Sequence, residues 1–130
     1  MSKSICRGDI NYVDFGNIPG SLMQGIRPAM VLQNNVGNRH APTVIVAAIT
    51  TEIKKLRQPT HVLIGAKYGL PEVSMLMLEQ IITVDKRYLL SYIGTADKGF
   101  MRAVDRAANE SIGTTRKRSR RRKFRRVSTV

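Results

Sequence analysis

The chain has 130 residues, of which 42% are hydrophobic, and it carries a formal net charge of +13 and one cysteine, Cys6. This length buries a core without disulfides or metals, and a single cysteine excludes an internal disulfide. No apolar run approaches the ~20 residues that span a bilayer, and the N-terminal MSKSICRGD lacks the apolar segment of a secretory signal. We therefore expect a cytoplasmic protein with one folded domain.

The positive charge is concentrated near the C-terminus. Nine of the 22 lysines and arginines lie in RKRSRRRKFRR (116–126), which contains no acid, whereas residues 1–115 hold 13 basic and nine acidic residues, a net of +4. We divide the chain into a folded domain, residues 1–113, and a basic tail, residues 114–130, that is disordered or extended. Lysine and arginine release counterions when they contact phosphate, so this charge favours nucleic acid as the partner. The alternative is a solvated tail that maintains solubility or binds any polyanion.

Five short strands are predicted first, because β-branched and aromatic residues are concentrated between turn-forming residues. They cover residues 9–15, 26–34, 43–51, 60–64 and 74–84. Pro28 donates no ladder hydrogen bond, which limits it to the start or the edge of a strand. The segment 43–51 (TVIVAAITT) is almost continuously apolar, so we expect it to be buried on both faces. Residues 34–42 (NNVGNRHAP) predict a turn-rich connection.

The pattern changes to helical spacing after residue 84. Residues 85–93 predict a short helical turn, and Thr95 is the expected N-cap of a C-terminal helix that stops at Gly113. The apolar residues of this helix recur on one face: Phe100, Met101, Val104, Ala107, Ala108 and Ile112. The predicted fold is mainly β with α, a small antiparallel barrel or strongly curved sheet with the C-terminal helix packed on it.

No standard catalytic or metal-binding motif is present, since the sequence has no CxxC, HExxH, GxGxxG or P-loop. Its two histidines are His40, in a loop, and His61, at the start of a strand. A lone histidine in such a place is more often a surface or structural residue than a substrate contact. By themselves the residues indicate a small, basic, β-rich domain that binds nucleic acid.

Five collinear blocks carry a more specific signal: RGDINYVDF (7–15), GIRPAMVLQNNVGN (25–38), PTVIVAAIT (42–50), LRQPTHV (56–62) and LEQIITVD (78–85). They resemble the MazF/PemK family of toxin endoribonucleases over residues 7–112. The resemblance implies an SH3-like barrel, a homodimer, and cleavage of single-stranded mRNA at short sequences without a metal or cofactor. It also implies the toxin of a type II toxin–antitoxin system, inhibited by a cognate antitoxin that lays an extended peptide across the RNA groove.

The resemblance assigns roles to individual residues. The arginine of the GIRP block is Arg27 and the threonine that ends VAAIT is Thr50, and these two are the expected catalytic residues. The candidate RNA-binding residues lie in the loop before the arginine, in the LEQI block and in the tail: Ser21, Gln24, Gln80, Arg116, Lys117 and Arg118.

The expected chemistry is attack of an RNA 2′-hydroxyl on the adjacent phosphorus, which leaves a 2′,3′-cyclic phosphate and a 5′-hydroxyl. A guanidinium is a planar fork of donors that fits two phosphate oxygens, so we expect Arg27 to stabilise the phosphorane and to be a candidate proton donor. The hydroxyl of Thr50 can hold a phosphate oxygen or the nucleophile. Arginine, with a pKa above ~12, is a poor base at neutral pH, which leaves the general base open, with His61 or His40 as the fallback.

The sequence departs from the family pattern in three places: the loop before Arg27, Ile82, and the basic tail, since typical members stop soon after the C-terminal helix. In the loop, Leu22 and Met23 stand where the family has polar residues, and at Ile82 a positive charge is missing. We expect an altered cleavage sequence or a weaker enzyme. The alternative hypothesis is a catalytically weak or inactive relative that binds nucleic acid or a partner protein as a regulator. The least favoured hypothesis is a toxin that has the same barrel and poisons DNA gyrase, because such toxins lack the GIRP and VAAIT blocks.

Overall fold

The computed structural model describes residues 3–17 and 23–114. Over these ranges the elements, in chain order, are β1 (Asp9–Asp14), β2 (Ile26–Val31), α1 (Asn35–His40), β3 (Thr43–Thr50), β4 (His61–Ile64), β5 (Ser74–Asp85), β6 (Leu89–Thr95) and α2 (Lys98–Ile112). Short 3-10 turns at Ala66–Tyr68 and Lys86–Tyr88 precede β5 and β6. The strands form one antiparallel sheet in the order β4-β5-β3-β2-β1-β6.

The core lies on both faces of the central strands. On one face, residues such as Ile10, Met30 and Ile49 pack with Val104 and Ala107 of α2. On the other face, a second cluster holds the side chains of alternate residues of the same strands: Val13, Ala29, Val31, Val44, Val46 and Ala48. The prediction that the central strand is buried on both faces is confirmed. The predicted fold class, a mainly β domain with the C-terminal helix packed on an antiparallel sheet, is also confirmed.

Two local predictions are correct only in part. The predicted turn-rich connection at residues 34–42 contains the helix α1 (Asn35–His40), because the side chain of Asn34 accepts a hydrogen bond from the Gly37 N–H at 2.8 Å and caps the helix. Residues 85–93 contain only the short 3-10 turn, after which Leu89–Thr95 form a sixth strand. This strand is stabilised by pairing with β1, a partner distant in sequence.

The ends of α2 are set by Asp97 and Gly113. The predicted N-cap, Thr95, is wrong: the side chain of Asp97 accepts from the Phe100 N–H at 2.8 Å, whereas the Thr95 hydroxyl donates to buried Asp9. The predicted stop at Gly113 is confirmed, since this residue adopts φ +78° and its N–H bonds to the carbonyl of Asn109. Among the described helices, none is long and apolar enough to cross a membrane.

Candidate functional site

The register of the central strands places Arg27 and Thr50 opposite each other. Ala29 of β2 pairs with Ala48 of β3, and extending this register by two residues sets Arg27 against Thr50. Side chains two residues apart in a strand share a face, so both lie on the face of Ala29 and Ala48. Pro28 pairs with Tyr12 of β1, and the β2–β3 pairing begins only at the next residue, Ala29, as expected for a residue without an N–H to donate.

The base of the loop before Arg27 is closed by backbone hydrogen bonds. The Gly25 N–H donates to the Gly16 carbonyl at 2.8 Å, and the Phe15 N–H donates to the Gly25 carbonyl at 2.9 Å. Arg27 itself is exposed, and its Nε donates to the Gln24 carbonyl at 2.9 Å. This bond orients the guanidinium and leaves both terminal nitrogens available to a ligand, because no carboxylate of the described residues pairs with them.

Thr50 ends β3, and its hydroxyl is oriented by the chain that follows. The Glu52 backbone N–H donates to Thr50 Oγ1 at 3.1 Å. The hydroxyl oxygen is therefore already an acceptor, and its own proton has no acceptor among the described residues. This arrangement suits donation of a hydrogen bond to a phosphate oxygen.

An interruption in the β3–β5 ladder places Gln80 beside these residues. Ala47 pairs with Ile81, but the next residue, Ala48, pairs with Met77, so Leu78, Glu79 and Gln80 have no ladder partner on β3. Such irregularities bend a strand and redirect its side chains. At this bend β5 also pairs with β4, where Met77 faces His61.

Arg27, Thr50, Gln80 and His61 line one cavity of about 490 Å³, called here the Arg27 cavity. Its other polar wall is the chain between β3 and β4, which contributes Glu52, Lys54, Lys55 and Gln58. The apolar floor includes Met23, which is 3% exposed and belongs to the second core cluster. Its lining holds Arg27, Lys54 and Lys55, besides His61, against two carboxylates, so the cavity is suited to an anion.

His61 bridges two walls of the cavity with its ring 6% exposed. Nδ1 lies 3.0 Å from the Lys55 carbonyl oxygen, and Nε2 lies 2.7 Å from Glu79 Oε2. Burial acts to lower the pKa of His61, but the hydrogen bonds to Glu79 and to the Lys55 carbonyl outweigh it and raise the pKa. Burial acts to raise the pKa of Glu79, but hydrogen bonds from His61 and Thr60 outweigh it and lower the pKa. Both groups are therefore predominantly charged between pH 4.5 and 6.5.

The structure brings some of the sequence candidates together and separates others. Of the candidates, Arg27, Thr50 and Gln80 line the cavity, and Gln24 contributes its carbonyl to Arg27. His40 ends α1, exposed and outside the cavity lining. Both ring nitrogens of His61 are engaged, which does not favour it as the fallback base. The remaining candidates lie outside the described residues: Ser21, Arg116, Lys117 and Arg118.

The loop and Ile82, two of the three departures from the family pattern, have different surroundings. Ile82 packs half-buried against the second core cluster, opposite Val46 of β3, and is not part of the cavity lining. Met23 is buried in the second core cluster, so little of its surface is open to a ligand. Leu22 lies outside the described residues.

Sequence reasoning missed the wall formed by Glu52, Lys54 and Lys55, and it missed Glu79. In the sequence, these charged residues are typical of a solvent-exposed loop, and only the fold shows that they line the same cavity as Arg27. For Glu79 a signal was available, because it precedes Gln80 in the LEQI block. No group of three or more histidine, cysteine, aspartate or glutamate side chains within residues 3–17 and 23–114 is placed to hold a metal ion.

Comparison with known proteins gives a consistent result. Residues 6–112 match the family described as PemK-like, MazF-like toxin of type II toxin-antitoxin system. Endoribonuclease EndoA of Bacillus subtilis is 47% identical over 107 residues, which cover 82% of this chain and 92% of that protein. A mycobacterial endoribonuclease solved in complex with its cognate antitoxin is 25% identical, with a TM-score of 0.74 over 87% of this chain and 99% of that chain. MazF of Deinococcus radiodurans, at 19% identity and a TM-score of 0.72 over 86% of this chain and 99% of that chain, shares the fold.

Proposed function

Because the chain belongs to the PemK-like, MazF-like toxin family of type II toxin–antitoxin systems, we propose that it is an endoribonuclease toxin that cleaves single-stranded mRNA with Arg27 and Thr50. The observation that carries the proposal is that these two side chains, far apart in sequence, line one positively charged cavity. The 47% identical Bacillus relative is named an endoribonuclease. The proposal places the activity in the cytoplasm, where mRNA is available.

The proposed reaction is an internal transesterification. The 2′-hydroxyl gives up its proton to a general base as the O2′–P bond forms. The 5′-oxygen takes up a proton, for which Arg27 is the candidate donor, as the P–O5′ bond breaks. The products are a 2′,3′-cyclic phosphate and a 5′-hydroxyl. The terminal nitrogens of Arg27 donate to the phosphate oxygens on which negative charge develops, and the Thr50 hydroxyl donates to one of them. Because Nε of Arg27 and Oγ1 of Thr50 are already held by protein atoms, both groups are oriented before RNA binds.

RNA binding in this proposal extends on both sides of the cleaved bond. Gln80 offers an amide that can hydrogen-bond a base edge beside Arg27. Ser21 and Gln24 belong to the loop that precedes Arg27, and the tail residues Arg116, Lys117 and Arg118 add sequence-independent charge. The loop has lost polar side chains at Leu22 and Met23, so we expect a cleavage sequence different from that of relatives with polar residues there.

The proposal includes two protein partners. A cognate antitoxin inhibits the toxin, as is suggested by the mycobacterial relative solved in complex with its own antitoxin. The active form is a homodimer, which light scattering would detect as twice the 14.5 kDa mass of the chain. If the protein is a monomer at the concentrations at which it cleaves RNA, the proposed homodimer is contradicted.

The test of the proposed function is cleavage of a long single-stranded RNA in EDTA, with the 5′-hydroxyl ends mapped. We expect discrete cuts at a short sequence. An oligonucleotide with a 2′-deoxy sugar at the cut position should resist cleavage, because it lacks the nucleophile. Absence of cuts over a broad set of sequences would favour the alternative, a relative that binds without cleaving. Cleavage of the 2′-deoxy substrate at the same bond would contradict the proposed chemistry.

A further inference from the structure

The chain between β3 and β4, residues 51–60 and called here the 51–60 loop, forms one wall of the Arg27 cavity. Lys54, Lys55 and Gln58 of this loop line the cavity together with Arg27. Lys55 adopts φ +48°, a left-handed conformation that is unfavourable for a residue with a side chain. Contacts to the Lys55 backbone offset the cost of this conformation.

His61 and Glu79 provide those contacts. The Lys55 carbonyl accepts two hydrogen bonds, from the Gln58 N–H at 2.9 Å and from His61 Nδ1 at 3.0 Å. His61 Nε2 is held by Glu79 Oε2 at 2.7 Å, and the other oxygen of Glu79 accepts from the Thr60 hydroxyl at 3.0 Å. The loop is therefore joined at Lys55 and at Thr60 to the bend of β5 that also carries Gln80.

The two lysines of the loop are available to an anion. The Nζ of Lys54 lies 3.9 Å from Glu52 Oε1, and these side chains are 71% and 77% exposed, so this ion pair contributes little. Lys55 has no ion pair with any residue that the structure describes. A polynucleotide that presents one phosphate to Arg27 presents the next phosphate along the same cavity, where a second positive charge stabilises it.

We propose that His61 and Glu79 are positioning residues that fix the 51–60 loop so that Lys54 and Lys55 bind an RNA phosphate next to the one held by Arg27. The proposal rests on the proposed function for the identity of the ligand. It gives His61 a role different from that of a base, since both ring nitrogens are used to hold protein atoms. The charged groups that line a cavity together with His61 are Arg27 of β2, Glu52, Lys54 and Lys55 of the loop, Glu79 of β5, and Arg106 and Glu110 of α2.

The test measures binding of a non-cleavable RNA oligonucleotide, 2′-deoxy at its cleavage position, over a range of salt concentrations. Lys54→Ala/Lys55→Ala should weaken binding about tenfold at low salt and make the log–log salt slope about 0.7 less negative, since one phosphate contact is lost. His61→Ala should also weaken binding and make the salt slope less negative. The combined triple variant should bind no more weakly than the lysine double variant, because His61 acts through the lysines.

The matched control is Lys67→Ala/Lys98→Ala, which removes the same charge from exposed lysines beside Asp97, at the start of α2. This control should keep the log–log salt slope of the wild type. The proposal is overturned if Lys54→Ala/Lys55→Ala keeps the wild-type slope. It is also overturned if the losses of binding free energy in His61→Ala and in Lys54→Ala/Lys55→Ala add in full.

Cleavage kinetics separate positioning from chemistry. At saturating RNA, His61→Ala should keep a rate close to wild type while its KM rises about tenfold, and His61→Asn, whose amide N–H can replace Nδ1, should recover part of the affinity. A loss of kcat at unchanged KM would make His61 a catalytic residue and overturn the proposal. If His61→Ala does not fold, as judged by its thermal melt, His61→Asn and the lysine variants decide the question.

A wild-type protein that binds RNA but never cleaves it would contradict the proposed function. The binding measurements would still test the role of the 51–60 loop.

Discussion

The hydroxyl of Thr50 illustrates how a common strand residue becomes a candidate for catalysis. β-branched residues are frequent in strands and need no function there. What distinguishes Thr50 is its position at the end of β3, where the Glu52 N–H takes one hydrogen-bonding direction and the Arg27 cavity lies in the other. The sequence motif identified the residue, but the direction of its proton depends on the turn that follows the strand.

Substitutions at Thr50 should separate the hydroxyl from the shape of the side chain. Thr50→Ser keeps the hydroxyl and should retain most of the activity, whereas Thr50→Val, which has nearly the same shape, should lower kcat by about 10²-fold because one donor to the transition state is lost. Single-turnover cleavage measures both. Equal rates for Thr50→Val and the wild type would show that the hydroxyl does no chemistry.

Among the strands, β6 shows what local sequence cannot provide. Leu89–Thr95 gives no clear strand signal, and its pairing with β1 is interrupted by two register shifts. The strand also depends on a close approach: a Cβ on Gly94 would lie 1.9 Å from the backbone oxygen of Tyr68. Neither the partner strand nor this contact is local, so residues 85–93 resemble a helical turn when the sequence is considered alone.

The close approach at Gly94 predicts a stability defect. Gly94→Ala should lower the free energy of unfolding by about 2–3 kcal/mol, because the backbone of the 3-10 turn must move to accept a methyl group. The control is Gly99→Ala in α2, where the nearest atom to the added Cβ is a side-chain oxygen at 3.4 Å and alanine is the better helix former. Urea denaturation compares the two, and an undisturbed Gly94→Ala would contradict this packing.

The elements that sequence predicted correctly were those with strong periodic signals. The buried strand at 43–51 and the C-terminal helix with its glycine stop were identified from spacing alone, because burial and capping are local properties. The second strand was predicted to extend to residue 34, but β2 ends at Val31. Arg27, Thr50 and Gln80 were identified from a family motif. Their convergence depends on the β2–β3 register and on the interruption in β5, which no local pattern encodes.

At the scale of the whole molecule, the ion pair of His61 and Glu79 couples stability to pH. The raised pKa of His61 contributes stability that is complete below its usual value of 6.5 and is lost as the pH rises through the raised pKa. The lowered pKa of Glu79 contributes stability that is complete above its usual value of 4.5 and is lost as the pH falls through the lowered pKa. The pair therefore contributes most between pH 4.5 and 6.5.

A double-mutant cycle should detect this window. The coupling free energy between His61→Asn and Glu79→Gln, measured by urea denaturation, should be larger at about pH 5.5, inside this window, than at about pH 8.5, above it. Equal coupling at the two pH values would mean that the contact is an uncharged hydrogen bond and that the ionised pair is not what holds the 51–60 loop.

The division of the chain into a domain and a tail makes a separate prediction. Thr114 belongs with the domain, because its N–H and its hydroxyl both bond to Asn109 at the end of α2. Truncation after Thr114 should therefore preserve stability. If all nine tail cations contact single-stranded RNA, the log–log salt slope should become less negative by about 6. An unchanged slope would favour the solvated-tail alternative.

The central claim is that Arg27, held by Gln24 and facing Thr50, stabilises the phosphorane during RNA cleavage. Its most direct test is the single-turnover rate at saturating RNA for the wild type, Arg27→Lys and Arg27→Ala. We predict a loss of about 10²–10³-fold for Arg27→Ala and an intermediate rate for Arg27→Lys, which keeps the charge but not the planar fork. Cuts by Arg27→Ala at the same positions and at the wild-type rate would contradict the account.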